Sequence, residues 1–587
     1  MQDKSKEDIL FKKRHSLAHI MLMAIKHHFP HAIPTLGPDI DNGFFYDIDF
    51  STSDKVTQED LQKIEKTMRE IISHNLDFKV KIIQTSEAKI LFKDNKYKLE
   101  IIDAIEKDNK NITLYYTGED FFDLCEGPHV DNTKEIIPDS FKLDKLAGAY
   151  WRGDEKNPML TRIYGLAFNT KEELDTYITQ QEEAKKRDHR IIGKQLDLFT
   201  FSDLVGSGLP LYTPRGTLLR ELLGGFSEDL QKSYGFKKVW IPHITKTDLY
   251  KTSGHWDKFG DELFLVTSQE SSDSFVLKPM NCPHHTQIFA SQPRSYRDLP
   301  IRYMETTTCY RDEKTGELSG LSRVRSLTQD DAHVFCTMEQ IETEFQNIMQ
   351  MIKTLYGALG MSFKARLSFS DPNNLDKYLG SRDDWNKSES IIEDLAKKLE
   401  LNYFIAPGEA AFYGPKIDIL VVDALGREWQ CATQQLDFVQ PSRFKLEYTD
   451  KDGTKKTPIM IHKALLGTID RFMSVYIEHT AGNFPLWLSP TQVTILPIAE
   501  KHHDYAKEVF KKLEAKNIRV ELDDSKDGLG KKVRYAKEIK NPYWIVIGNK
   551  DIDANMVTLE SRDIGQIGQM SVDDVVNKLA EEINNKK

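Results

Sequence analysis

One segment constrains the fold of this chain more than any other, the run from 301 to 335, IRYMETTTCYRDEKTGELSGLSRVRSLTQDDAHVF. Strand-forming residues occupy both of its ends, and Gly316 and Gly320 lie in the polar stretch between them. Two strand-forming runs around a glycine-containing loop are typical of a β-hairpin. The segment therefore predicts two facing strands joined by a loop.

Three charged side chains of this hairpin indicate nucleotide chemistry. Arg311 and Arg323 are expected on the facing strands, where two guanidinium groups suit a triphosphate because they form charge-assisted hydrogen bonds with phosphate oxygens. Glu313 offers an acceptor close to a base. A hairpin with ordinary surface ion pairs is the alternative interpretation of the same residues.

The common phosphate-binding loops are absent from the sequence. No GxxxxGK[ST] occurs, no GxGxxG turn follows a strand, and GSGLPL at 206–211 lacks the third glycine. A nucleotide would therefore be bound by another geometry.

The chain is expected to form three domains and a connecting helix, because 587 residues exceed one ordinary core. The very polar stretch EELDTYITQQEEAKKRDHR predicts a solvated helix between two domains. The alternation of strands and helices that follows NFPLWLSP predicts a small βαβ-type domain with a parallel sheet. The expected boundaries are a first domain at 1–170, a helical linker at 171–190, a central domain at 191–487 and a C-terminal domain at 488–587.

Composition narrows the class of protein. Hydrophobic residues make up 39% of the chain and charged residues 29%, and no apolar run has the length of a transmembrane helix. The polar start MQDKSKEDILFKKRH lacks the apolar core of a signal peptide. Five cysteines without regular spacing favour a reducing cytoplasm, and the net charge of −11 disfavours nonspecific coating of nucleic acid. We expect a cytoplasmic protein without a membrane partner.

The pentapeptide HSLAH places two histidines on one face of a helix. His15 and His19 are four residues apart, so both rings reach a single metal ion or substrate. A zinc-protease site is excluded, because HExxH requires a glutamate where Ser16 stands. The distant segment DLCEGPH adds Cys125 and His129. These four groups suit zinc or metal-free proton transfer, and a pair of structural histidines is the alternative.

Several segments, in order along the chain, resemble the class II aminoacyl-tRNA synthetases. A helix followed by the strand YGFKKVWIPHI, which ends near Pro242, looks like motif 1; the 301–335 hairpin looks like motif 2; LLGTIDRFMSVYIEH at 465–479 looks like motif 3. KPMNCPHH, TQDDAHVF, FYGPKID and IHKALLGTIDRF narrow the resemblance to the threonyl-tRNA synthetase family. The first helix is marked by apolar residues at helical spacing, namely Leu218, Leu219, Leu222, Leu223, Phe226 and Leu230.

The resemblance covers nearly the whole chain and implies a mixed α/β (α+β) multidomain fold. It implies an N-terminal editing domain, a catalytic domain on the antiparallel sheet of class II synthetases, and a C-terminal α/β anticodon-binding domain. The implied reactions are ATP-dependent activation of L-threonine to threonyl-adenylate, transfer to the 3′ end of tRNA(Thr), and hydrolysis of mischarged seryl-tRNA(Thr). The implied partners are ATP with Mg²⁺, threonine, tRNA(Thr) and a second copy of the chain, since motif 1 forms the usual dimer interface.

Two alternatives and one departure accompany this interpretation. A synthetase-like RNA-binding regulator would be expected to lose some of the residues that bind ATP. A deacylase without adenylation activity could consist of 1–170 alone. Many relatives begin with a small ubiquitin-like (TGS) domain, which this chain is expected to lack.

The resemblance also assigns residues to ATP and threonine. It implies that Arg311 holds the α-phosphate, Glu313 the adenine, and Arg323 and Arg471 the outer phosphates. Lys416 joins these arginines as a catalytic residue. The other matching positions are Gln430 and Thr433 for ATP, Met280, Gln329, Asp331, Tyr413 and Gln435 for threonine, and His255 at the rim of the active site.

A threonine-specific enzyme has a physical reason to hold a metal ion. Threonine and valine are nearly isosteric, and an apolar pocket separates such pairs by only about a hundredfold. The resemblance implies one zinc ion per subunit on Cys282, His333 and His462, a donor set that suits zinc and leaves positions for substrate. His284 departs from the family, which has glycine there, so a strained turn or a competing imidazole is expected.

Zinc does not reject serine, which has the same amino and hydroxyl groups as threonine. One methyl group is worth only about 1–3 kcal/mol, so a second, hydrolytic site is expected. The first domain resembles the editing domain shared by threonyl- and alanyl-tRNA synthetases. The resemblance implies a metal-free pocket lined by His15, His19, Tyr46, Lys98, Asp123, Cys125 and His129.

The segment 525–550 holds seven Lys and Arg against two acidic residues. By itself it predicts either a solvated helix face or a surface for a single-stranded RNA loop. The resemblance favours anticodon binding, with Asp551 and Arg562 at the family's base-reading positions. Glu560 stands where an arginine is expected.

Overall fold

The structure is a computed structural model that describes residues 4–52 and 54–586. It divides into two compact units, Met1–Glu182 and Glu183–Lys587, each with a hydrophobic core of its own. The boundary falls within the stretch expected to be a helical linker, where the structure has a largely exposed helix.

The first unit contains helices on two small antiparallel sheets. Its helices are α1 Lys4–His28, α2 Asp60–Ser73, α3 Thr85–Leu91, α4 Lys96–Lys107 and α5 Lys171–Lys186, the last of which crosses the boundary. Its strands are β1 Ile33–Pro34, β2 Asp39–Ile40, β3 Gly43–Asp49, β4 Phe78–Ile83, β5 Ile112–Thr117, β6 Phe121–Leu124, β7 Phe141–Tyr150 and β8 Met159–Ala167. One sheet has the order β1-β3-β8-β7 with β2 beside β3, and the other has the order β4-β5-β6.

Helix α1 lies in the core of this unit because apolar residues surround its middle turns. Leu17, Ile20, Met21, Ala24 and Ile25 recur at helical spacing and are buried. The predicted helix around HSLAH is therefore present.

The second unit begins with the elements of the central domain. Its helices are α6 His189–Gln195, α7 Pro214–Ser233, α8 Thr247–Ser253, α9 His255–Phe259, α10 Cys282–Ala290, α11 Ile341–Ala358, α12 Arg382–Lys398, α13 Gln440–Arg443 and α14 Ile469–Thr480. Its strands are β9 Phe199–Thr200, β10 Leu211–Tyr212, β11 Lys237–Lys238, β12 Ile244–Lys246, β13 Leu265–Thr267, β14 Ser274–Leu277, β15 Ile301–Tyr310, β16 Ser326–Cys336, β17 Ser362–Phe369, β18 Tyr403–Pro407, β19 Lys416–Val422, β20 Glu428–Asp437, β21 Tyr448–Thr449, β22 Lys455–Lys456 and β23 Ile459–Thr468.

An eight-stranded sheet organises the central domain. Its order is β11-β15-β16-β23-β20-β19-β17-β18, and the six inner strands from β15 to β17 pair antiparallel, as expected. Helices α7, α11 and α14 pack their apolar faces on this sheet and form the main core. Helix α7 starts at Pro214, where the Thr213 side chain accepts a hydrogen bond from Gly216 N.

Two local predictions about this sheet were wrong. Arg311 and Arg323 do not lie on the facing strands, because β15 ends at Tyr310 and β16 begins at Ser326. Both arginines belong to the connecting loop, whose polar residues do not continue the ladder. The strand expected to end near Pro242 is only β11, Lys237–Lys238, which stops four residues before the proline.

The C-terminal region has the predicted parallel sheet with two antiparallel strands added. Its elements are β24 Val493–Pro497, α15 His503–Glu514, β25 Val520–Leu522, α16 Leu529–Glu538, β26 Tyr543–Ile547, α17 Asn549–Ala554, β27 Val557–Ser561, β28 Gly565–Met570 and α18 Val572–Asn584. The order is β25-β24-β26-β27-β28, and the first three strands are parallel. Across the described ranges, no helix has the length and apolar character needed to cross a membrane.

Candidate active sites

Four residues expected to bind ATP line one cavity of about 460 Å³, namely Arg311, Glu313, Arg323 and Arg471. The first three lie in the loop between β15 and β16, and the last lies in the first turn of α14. Three guanidinium groups around one cavity suit a polyphosphate, because each presents several hydrogen-bond donors.

Two of these arginines are held by neighbouring side chains, Arg323 by two glutamate carboxylates and Arg311 by a methionine sulfur. Arg323 Nη2 lies 2.7 Å from Glu313 Oε2 and 2.5 Å from Glu317 Oε2. The hydrogen bond with Glu313 raises the pKa of Arg323. Arg311 Nη2 donates to the sulfur of Met280 at 3.1 Å, so the ATP cavity and the expected threonine residues adjoin.

A fully buried carboxylate, Asp418, organises the other ATP residues, and the sequence analysis missed it. It accepts hydrogen bonds from donors on three strands: Lys416 Nζ, Arg366 Nη2 at 2.9 Å, Ser368 Oγ at 2.7 Å, Gln430 Nε2 at 2.8 Å and Thr433 Oγ1 at 3.1 Å. A local signal existed, since residues two apart on a strand share a face and Lys416 was already a candidate.

Cys282, His333 and His462 form a compact buried cluster. Their donor atoms all lie within 4.8 Å of one another. The cluster arises from sheet register, because His333 on β16 lies directly opposite His462 on β23, and Cys282 begins α10 above them. This separation along the chain explains why spacing alone could not reveal the group.

The second ring nitrogen of each histidine in this cluster has a partner that the sequence analysis missed. His462 Nε2 donates to Asp437 Oδ2 at 2.8 Å, and His333 Nδ1 lies 2.8 Å from His285 Nδ1. Such bonds fix the orientation of metal-binding imidazoles. One thiol and two oriented imidazoles fit zinc and leave a fourth position open.

The residues expected to bind threonine surround this cluster. Asp331 lies two positions before His333 on β16, and its Oδ2 accepts from Asn281 Nδ2 at 2.9 Å. Gln435 pairs with His462 across β20 and β23. The Tyr413 ring centroid is 5.0 Å from that of His462. Of the other two expected residues, Met280 accepts from Arg311 and Gln329 Oε1 accepts from Cys309 Sγ at 3.7 Å.

Two histidines depart from expectation. His284 takes a helical conformation inside α10, so no positive-φ turn is needed there. His284 is buried, but it does not belong to the cluster of Cys282, His333 and His462. Burial lowers its pKa to about 4. His255, expected at the rim, is fully buried, with Nε2 3.8 Å from Cys282 Sγ.

The first unit contains a separate cavity of about 450 Å³. Six of the seven residues expected in the editing pocket line it: His15, His19, Tyr46, Lys98, Asp123 and Cys125. Behind them, His129 Nε2 lies 3.2 Å from Cys125 Sγ, which is also 3.2 Å from His15 Nε2. The structure therefore brings all seven residues together.

A buried charged group forms one wall of this cavity. Lys98 Nζ lies 2.6 Å from Asp123 Oδ1, and Tyr46 OH donates to the other oxygen of the same carboxylate. Lys98 lies in the first turn of α4, which Asn95 caps by accepting from Lys98 N at 3.1 Å. A lysine, a phenol and a carboxylate are able to orient a polar substrate.

Burial keeps the histidines and the thiol of this cavity neutral. It lowers the pKa of His15, His19 and His129, and it raises the pKa of Cys125 to about 12. Neutral imidazoles accept protons and suit hydrolysis of an ester. The four donor atoms also lie within 4.8 Å of one another, which is compatible with a metal ion.

In the sequence analysis, Ser16 served only to exclude a zinc-protease site. In the structure, it contacts a histidine of this pocket. Its Oγ lies 3.1 Å from His129 Nδ1 and accepts from Val130 N at 3.1 Å. It therefore orients His129 from behind.

The residues expected to read the anticodon are engaged within the C-terminal region. The Asp551 carboxylate accepts from Gly548 N, Thr558 and Gln569 and so caps α17. Arg562 donates to backbone oxygens and pairs with Asp563. Glu560 accepts from Trp544 Nε1 at 2.9 Å. A cavity of about 410 Å³ lies instead at the C-terminal ends of β24 and β25, and it includes Lys526 and His503.

Comparison with protein-family models agrees with this arrangement region by region. Residues 264–480 match the tRNA synthetase class II core domain (G, H, P, S and T), 492–582 match an anticodon-binding domain, and 112–164 match the threonyl and alanyl tRNA synthetase second additional domain.

Individual relatives match over most of the chain. A threonine–tRNA ligase of Gloeobacter violaceus is 46% identical over 98% of this chain and 92% of its own, and one of Staphylococcus aureus is 44% identical over 99% and 90%. The crystal structure of the RNA-binding domain of threonyl-tRNA synthetase from Cryptosporidium parvum is 38% identical, with a TM-score of 0.64 over 67% of this chain and 98% of that one. Since full-length relatives and three domain models agree along the sequence, the chain belongs to the threonine–tRNA ligase family.

Proposed function

We propose that the chain activates threonine in the cavity of the second unit and hydrolyses seryl-tRNA in the cavity of the first. The family assigns the overall reactions, threonyl-tRNA synthesis with editing. The observation that carries the residue roles is the convergence of Arg311, Glu313, Arg323 and Arg471 on one cavity beside the threonine residues.

Activation requires positioning and neutralisation of negative charge. The carboxylate of threonine attacks the α-phosphorus of ATP, and negative charge develops on phosphate oxygens. Arg311 is assigned to the α-phosphate, and Arg323 and Arg471 to the outer phosphates. Glu313 accepts from the adenine amino group. The family's reaction uses ATP with Mg²⁺.

Lys416 contributes through the Asp418 group. Two cations, Lys416 and Arg366, share one buried carboxylate, and Arg366 also lies 3.5 Å from the carboxylate of Glu409. Asp418 thereby fixes Lys416 beside Gln430 and Thr433, which the same carboxylate holds, and these three residues are assigned to ATP.

Threonine selection is assigned to the buried cluster. Cys282, His333 and His462 would hold zinc, and zinc bound there would take the amino and hydroxyl groups of the substrate, which valine does not match. Asp331, Tyr413 and Gln435 orient the amino acid, with Gln329 and Met280 beside them. His255 contacts Cys282 and so supports the cluster.

Editing is assigned to the cavity of the first unit without a metal ion. His15, His19 and His129 are neutral and orient or deprotonate water, while Lys98 and Asp123 hold the mischarged end. Replacing Cys125 by Ala tests this assignment. The variant is expected to charge threonine normally and to accumulate seryl-tRNA, and normal removal of serine would contradict the assignment.

The remaining assignments concern partners and location. Large exposed apolar side chains between 201 and 244, among them Trp240 at 76% exposure, support a homodimer, which sedimentation velocity would test.

The cavity beside Lys526 and His503 is assigned to the anticodon loop, and unchanged tRNA affinity in Lys526→Ala would contradict this. Five free thiols favour the cytoplasm, and fractionation of cells would test it.

A further inference from the structure

His189 occupies an unusual position at the start of α6, directly after the linker helix. It is buried, and its ring lies between the loop that carries Arg323 and the last turns of α14. The backbone N and ring Nδ1 of His189 both donate to Glu478 Oε1, at 3.1 and 2.7 Å. Its Nε2 accepts from Leu321 N at 3.0 Å.

These partners fix the protonation of the ring. A backbone N–H only donates, so Nε2 must present a lone pair to Leu321. The proton of the neutral ring is therefore on Nδ1, where it faces Glu478. Asp188, His189 and Glu478 lie close enough to hold a metal ion, but both ring nitrogens are already engaged.

The loop is built around this ring. Leu321 is fully buried and lies two residues before Arg323. Gly320 has φ +51, and a Cβ there would lie 2.2 Å from His189 Nε2. Only glycine permits the ring to approach this closely, so the loop conformation and the histidine require each other.

On its other side, Glu478 extends the connection to Trp429, another residue that lines the ATP cavity. Glu478 Oε2 accepts from Arg427 Nη2 at 2.6 Å, and Arg427 Nε donates to Asp423 Oδ2 at 2.6 Å. That same oxygen accepts from Trp429 Nε1 at 2.9 Å. Trp429 lines the cavity together with Arg323. Continuous hydrogen bonds thus join the Arg323 loop to Trp429 through His189.

We propose that His189 is a positioning residue that holds the loop of Arg323 in the conformation that binds ATP. It does so by accepting from Leu321 N with Nε2 while Glu478 fixes its Nδ1. The proposal rests on the assignment of this loop to ATP, given above. No contact between His189 and the nucleotide is required.

Two conservative variants separate the two sides of the ring. In His189→Gln the amide oxygen takes the place of Nε2 and accepts from Leu321 N. In His189→Asn the amide nitrogen takes the place of Nδ1 and retains the bond to Glu478, but nothing accepts from Leu321. Because the backbone N–H of Leu321 loses its acceptor in His189→Asn, this variant is expected to raise KM for ATP in threonine-dependent pyrophosphate exchange by about tenfold or more.

The expected pattern is specific. His189→Asn raises KM for ATP and leaves KM for threonine unchanged, whereas His189→Gln stays within about threefold of the parent for both. His502→Asn is the matched control, because His502 is buried in the C-terminal region and the shorter side chain there also loses a hydrogen bond of Nε2, the one with Asn549 Oδ1 at 3.0 Å. It should leave both constants unchanged.

Direct titration of ATP by calorimetry distinguishes failure of this proposal from failure of the function. Equal Kd values for the parent, His189→Asn and His189→Gln would overturn the role of His189. Equal weakening in the two variants would do the same, because it would indicate general destabilisation. Unchanged ATP affinity in Arg323→Ala would instead contradict the assignment of the loop to ATP.

Discussion

At the scale of single residues, two cysteines lie among histidines in the two units and are assigned different chemistry. Cys282 forms a cluster with His333 and His462, each oriented by a second hydrogen bond, while Cys125 lies among His15, His129 and a charged lysine–aspartate pair. We predict one zinc ion per subunit in the parent protein, measured by plasma emission spectrometry after dialysis. Cys282→Ala should lose most of it, and Cys125→Ala, the matched control, should retain it.

Two zinc ions in the parent, with one lost in Cys125→Ala, would contradict the metal-free editing site. Full zinc content in Cys282→Ala would contradict the assignment of the other cluster.

The protonation of the editing histidines gives a second prediction at this scale. Burial lowers the pKa of His15, His19 and His129 from the ordinary 6.5, so the neutral, proton-accepting form persists below that pH. Removal of serine from seryl-tRNA, corrected for spontaneous hydrolysis, should change little from about pH 8 to about pH 6.5 and fall only at lower pH. A midpoint at or above 6.5 would show that a less buried group controls the reaction.

At the scale of elements, periodicity predicted helices and strands better than it predicted their ends. The apolar spacing of α7 and the alternation of the C-terminal region were confirmed, because one buried face imposes a period on the sequence. The hairpin strands were confirmed too, but Arg311 and Arg323 lie beyond their ends. Strand-forming composition alone does not show where the ladder stops.

The exposed apolar residues after α7 lead to a testable prediction about the homodimer. Trp240 is 76% exposed and lies among other exposed apolar side chains, so we expect Trp240→Glu to shift sedimentation towards monomer at micromolar concentration. Ile564→Glu is the matched control, since Ile564 is 73% exposed but lies in the C-terminal region. A parent protein that sediments as a monomer over this range would contradict the dimer.

At the scale of the whole molecule, the resemblance supplied the predicted site residues, while the groups that support them were found only in the structure. Cys282, His333 and His462 are brought together by the register of β16 and β23, which no spacing rule reports. Asp437 and Asp418 support the sites from buried positions that sequence patterns treat as ordinary strand residues. The anticodon assignments stay predictions, and the structure shows only that Asp551 and Arg562 have partners within the protein.

Amino-acid-dependent ATP–pyrophosphate exchange across all twenty amino acids tests the central claim most directly. If the cluster around Cys282 selects a hydroxyl and the arginine cavity activates ATP, exchange should be strong with threonine, weaker with serine and nearly absent with valine. The serine signal is the reason for the hydrolytic cavity in the first unit. No exchange with any amino acid, from folded and zinc-loaded protein, would contradict the account.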